Sequence, residues 1–121
     1  MYFPVEGWFV AFLITLAIEL PVVVILARRA EPSLPRLALI VLFANLATHP
    51  IVWYVISQLW LVGTLPYVLV AEGWAVAAET LFYAVTIRAL TAPRAVVIAV
   101  AANTASFLAG RAIGAIWPEL F

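Results

Sequence analysis

Glu19, Asn45, Thr48, Glu79, Asn103 and Ser106 each interrupt a long apolar run, and their spacing brings them to a common level. Glu19 lies nine residues before Arg28 and Glu79 nine before Arg88; Asn45 and Asn103 lie nine after Arg36 and Arg94. If those arginines mark one water-facing edge, the helical rise places all four side chains about 13 Å deep. Thr48 and Ser106 follow the asparagines by three residues, which keeps them on the same helix face. The result is a layer of two carboxyls, two carboxamides and two hydroxyls. A carboxyl so deep in hydrocarbon costs about 2.5–3.5 kcal/mol, so it must be neutral, paired or turned inward. Asparagine offers both a donor and an acceptor, so a neutral Glu–Asn pair can satisfy itself. One reading makes the layer a clamp that fixes helix pairing. Polar contacts of that kind average only about 0.6 kcal/mol, a modest return for two buried carboxyls. The other reading makes it a site that binds a cation or a small polar solute and exchanges protons, and intramembrane ionisable residues favour it. On this reading Glu19 and Glu79 rest protonated and release protons when a cation arrives.

Other scarce residues flank the layer. His49 is the single histidine and precedes Pro50, which is expected to kink its helix and free backbone carbonyls. His49 is then either a proton partner of the site or a brace bonded to a freed carbonyl or a glutamate. Pro21, two residues after Glu19, predicts a second kink. Glu72 and Arg111 lie higher, about 24 Å from the arginine edge, as a gating ion pair or with Arg111 reaching separately for water. Glu72 and Glu79 are seven residues apart and share a helix face as a vertical relay. Gly110 and Gly114 form a weak G-x-x-x-G packing signal.

The elements that must hold this layer follow from composition. Of 121 residues 68% are hydrophobic and 10% charged, too few charges to cover a water-facing surface. Six arginines against six glutamates give no net charge and no footprint for nucleic acid. The absence of cysteine excludes disulfides and thiolate metal sites. One histidine argues against a structural zinc site and against bis-histidine haem ligation without a dimer. Four apolar segments reach spanning length: Gly7 to Ala27, Arg36 to Leu59, Leu65 or Pro66 to Arg88, and after Pro93 to Trp117. The first carries Glu6 rather than a basic start and is too long for a cleavable signal. Arginines crowd the first and third connections and are missing from the second, which predicts an inner-membrane protein with both termini outside. All five tryptophans then fall in the outer half.

The two halves also echo each other. Both read E-x8-R, a loop, then P-R-x8-N-x-A-[TS]. Because both halves start on the same side, the repeat is parallel, about residues 5–59 and 65–117 of a single transmembrane domain spanning 1–121. The fold class expected is therefore an all-α, integral membrane four-helix bundle of two tandem hairpins, in the bilayer as a homodimer or beside a partner membrane subunit. Motifs of hydrolases, zinc enzymes and phosphate-binding loops are missing, so a non-enzymatic transporter or channel is expected; the alternative is a non-catalytic subunit, and an intramembrane enzyme ranks last. The metal and cofactor remain unspecified.

Overall fold

The computed structural model describes residues 5–120. Its four long helices are α1 (Val5–Ala27), α2 (Leu34–Leu59), α3 (Leu65–Thr86) and α4 (Ala92–Ile116), with a 3₁₀ turn at Pro118–Leu120. No strand occurs among the described residues. Each long helix has the length and hydropathy to cross a bilayer. The last three begin alike, with Ser33, Thr64 or Thr91 at the N-cap and Pro35, Pro66 or Pro93 in the first turn, where a missing N–H costs nothing. The Ser33 hydroxyl accepts the Arg36 N–H at 3.4 Å. Gly63, at φ 85°, supplies the left-handed residue of the short α2–α3 connection.

The helices form a closed ring in which α1 packs on α2, α2 on α3, α3 on α4 and α4 back on α1. Its polarity is the reverse of a soluble bundle. Phe9, Leu13, Ile25, Leu39, Phe43, Leu69 and Leu81 face outward, while Glu19, Asn45, Thr48, Glu79 and Asn103 are buried. The bundle is thus an all-helical assembly suited to a membrane. Between the polar layer and the arginine end the interior is dry, built from Val23, Leu37, Val41, Tyr83 and Ile87 with alanines 27, 44, 95, 99 and 102. Those alanines let the backbones approach closely. At the arginine end, Arg36 donates from Nη2 to the Thr86 carbonyl at 2.9 Å and sits 3.2 Å from Glu31, tying the first connection to the C-terminus of α3.

The two expected kinks differ. Helix α1 runs unbroken through Pro21. In α2 the regular turns end at Ile51 and a π-helical turn, Val52–Ile56, follows Pro50. Proline removes one N–H from the ladder, and the chain downstream re-pairs one residue further along. This wide turn carries Trp53 and packs against α3.

Candidate functional site

The six polar residues meet in one hydrogen-bonded belt. Asn45 Nδ2 donates to Glu19 Oε2 at 2.8 Å, joining α2 to α1. Asn103 Nδ2 donates to Glu79 Oε2 at 2.6 Å, joining α4 to α3. Ser106 Oγ lies 2.8 Å from Glu19 Oε1, and Thr48 Oγ1 lies 3.3 Å from Glu79 Oε1. Each carboxyl therefore bridges both neighbouring helices, and the contacts run round the bundle through α1, α2, α3 and α4. Each asparagine spends its second amide hydrogen on its own helix, on the carbonyls of Val41 at 3.0 Å and Ala99 at 2.9 Å.

Counting hydrogens shows what this belt can do. The Ser106 hydroxyl also reaches the Asn103 carbonyl at 3.1 Å, and the Thr48 hydroxyl the Ala44 carbonyl at 3.1 Å. Each hydroxyl has one hydrogen. When a carboxyl is protonated it donates to the hydroxyl, which donates to the backbone, and every hydrogen has an acceptor. When the carboxyl is ionised the hydroxyl turns and donates to it. Rotation about one C–O bond thus accommodates either state, with no movement of the backbone.

The belt is the floor of a cavity of about 180 Å³ that extends toward the tryptophan end. Thr15, His49, Trp53, Tyr67, Glu72 and Phe107 line it above Glu19, Glu79 and the asparagines. Sequence reasoning missed Thr15, Tyr67 and Phe107 as lining residues, since neither residue type nor spacing sets them apart in so apolar a chain. His49 lines the cavity but touches neither glutamate nor a freed carbonyl. Its Nε2 lies 3.4 Å from Thr15 Oγ1, its Nδ1 has no partner, and its ring stands among Trp8, Phe12 and Trp53. Trp8 and Trp53 thus clad the histidine, whereas Trp60, Trp74 and Trp117 are exposed.

Glu72 and Arg111 are not brought into an ion pair; the one formed among the described residues joins Arg36 to Glu31. Glu72 lines the cavity above Glu79, as a shared helix face requires, while Arg111 is exposed. Similar depth on neighbouring helices suggested the pair. Arg111 lies about 80° round α4 from Asn103 at 3.6 residues per turn, which turns it off the core face. Replacing Glu72 and Arg111 by alanine is accordingly expected to change stability additively, within about 0.5 kcal/mol, in detergent unfolding of both singles and the double.

Gly110 also departs from the packing expected of it, because a Cβ there would meet nothing within 4 Å outside its own helix. Tyr83, one turn from Glu79 on the dry side, is fully buried with its hydroxyl unpartnered. A buried hydroxyl without a partner is destabilising by about 1–3 kcal/mol. Tyr83→Phe is expected to raise the unfolding free energy by about 1 kcal/mol in detergent, and a loss of that size would show that the hydroxyl is bonded.

Among the described residues, no three His, Cys, Asp or Glu side chains are grouped so as to hold a metal ion. Compared with protein-family models, with curated proteins and with solved structures, the chain matches none.

Proposed function

We infer that this chain is a small membrane transporter whose belt of Glu19, Asn45, Thr48, Glu79, Asn103 and Ser106 binds a cation or small polar solute in exchange for protons. The observation that carries this reading is the position of the belt, at the floor of a cavity on one side and against a dry core on the other. A pure clamp needs no cavity above it. A site reached from one end and sealed toward the other is what alternating access requires of one of its states. The titratable groups facing the cavity are Glu19 from α1, His49 from α2, and Tyr67, Glu72 and Glu79 from α3; α4 contributes Asn103, Ser106 and Phe107.

The same reading takes the chain as two related hairpins. In its favour, the Glu–Asn bond, the Glu–hydroxyl bond and the asparagine's return to its own helix recur in both halves. On this reading the arginine-rich end faces the cytoplasm of an inner membrane and both termini lie outside, which the excess of arginine in the first and third connections favours. A homodimer is the assembly expected, and the unfilled space at Gly110 leaves that face of α4 free for it.

The test is flux into proteoliposomes followed with a pH-sensitive dye, wild type beside Glu19→Gln/Glu79→Gln. Cation-dependent proton movement lost in a folded variant supports transport. A second reading, a non-catalytic subunit held together by the belt, draws on the closure of the hydrogen-bond ring. It is supported if the wild type shows no flux while loss of the belt unfolds the protein.

A further inference from the structure

The lining of the cavity narrows the class of solute, on the reading above that the belt is a binding site. Both asparagines are more than nine-tenths buried and commit both amide hydrogens within the belt. No hydrogen bond among the described residues reaches their Oδ1 atoms, and the cavity that both residues line is where a donor can meet them. Glu19 and Glu79 add carboxyl oxygens at the floor, Glu72 lies about two turns above them, and no arginine lines the space. What the floor lacks is hydrogen-bond donors carrying positive charge. An anion finds no cationic partner there.

A metal ion is poorly matched too. Calcium takes six to eight oxygen ligands, and magnesium demands near-octahedral geometry. Among the described residues no three His, Cys, Asp or Glu side chains are grouped to hold one, and above the carboxyls the walls are Trp53, Tyr67 and Phe107 with Val52, Val68 and Ala71. Aromatic walls attract a cation that carries its own apolar surface. The volume of about 180 Å³ slightly exceeds the engineered cavity of about 150 Å³ known to admit benzene. That size suits a molecule of about five to eight heavy atoms.

We propose that the cavity binds a small primary alkylammonium ion, its N–H groups on Asn45 Oδ1, Asn103 Oδ1 and the carboxyls, its alkyl chain against Trp53, Tyr67 and Phe107. Like a lysine side chain, such an amine is charged at neutral pH.

Isothermal titration of the full chain in nanodiscs with butylammonium chloride tests this, with empty nanodiscs as the blank. Butan-1-ol serves as the neutral probe of the same size, and sodium and magnesium chloride as competitors. Saturable binding of butylammonium is expected, with butan-1-ol weaker by about tenfold or more, as befits hydrogen bonds to charged groups. Neither metal ion should displace it. Glu79→Gln, which removes a carboxyl of the floor beside Asn103, should keep the fold and weaken butylammonium about tenfold. Trp53→Leu should weaken it about three- to thirtyfold. Equal affinity for butan-1-ol, displacement by sodium or magnesium, no effect of Glu79→Gln in a folded chain, or no saturable binding by the folded chain would each overturn the proposal. Nanodiscs have no second compartment, so the outcome does not depend on transport. Binding without flux in proteoliposomes leaves the ammonium site standing and removes the transporter reading; metal-ion flux without ammonium binding does the reverse.

Discussion

The Glu19→Gln/Glu79→Gln variant is expected to fold and to move no protons. A glutamine side chain keeps the acceptor and one donor of a protonated glutamate, and its second amide hydrogen can turn to the cavity that both positions line. Its Oε1 can accept from asparagine Nδ2, and its Nε2 can donate to the Ser106 or Thr48 hydroxyl, which then serves the backbone carbonyl. The bonds that join α1 to α2 and α3 to α4 survive. Stability should change by less than about 1 kcal/mol, in line with the small net worth of interhelical polar contacts. Proton-coupled flux, by contrast, should fall to the level of empty liposomes, because neither side chain can release a proton. Loss of the fold in this variant would mean that ionised carboxylates hold the bundle together. Flux at the wild-type rate would move the proton pathway away from the belt.

Removing an asparagine should do the opposite, damaging the structure first. Asn45→Leu takes the amide donor from Glu19 Oε2, at a level where water is scarce. The lost contact itself is worth about 0.6 kcal/mol, but the stranded carboxyl oxygen adds about 1–3 kcal/mol. A loss of about 2–3 kcal/mol is therefore expected in reversible unfolding in bicelles. Asn45 and Ser106 both serve Glu19, so Asn45→Leu with Ser106→Ala should be non-additive by 0.5 kcal/mol or more, as roughly expected for residues in one network. Additive losses would show that the two bonds act independently and that the belt is not a unit.

The belt was legible because its members are chemically scarce and lie at equal distances from arginines. Counting from Arg28, Arg36, Arg88 and Arg94 gives depth, and depth was enough to group Glu19, Asn45, Glu79 and Asn103. The i+3 spacing then added Thr48 and Ser106. Depth says little about direction round a helix, and Arg111 shows the consequence: similar in height to Glu72, it faces elsewhere. The cavity walls were hidden for a different reason. Trp53, Tyr67 and Phe107 differ little in type from the lipid-facing residues around them, and only the packing of the ring turns them inward. The π-helical turn after Pro50 was likewise beyond residue type, since proline predicts a break in the ladder but not how the chain closes it.

Infrared difference spectroscopy of the carboxyl C=O stretch at neutral pH, wild type against the double glutamine variant, tests the central claim most directly. Two protonated carboxyls should be present in the resting wild type, be missing from the variant, and diminish when a bound cation displaces a proton. Two carboxylates already ionised in the resting protein would contradict the account, for the belt would then have no proton to exchange.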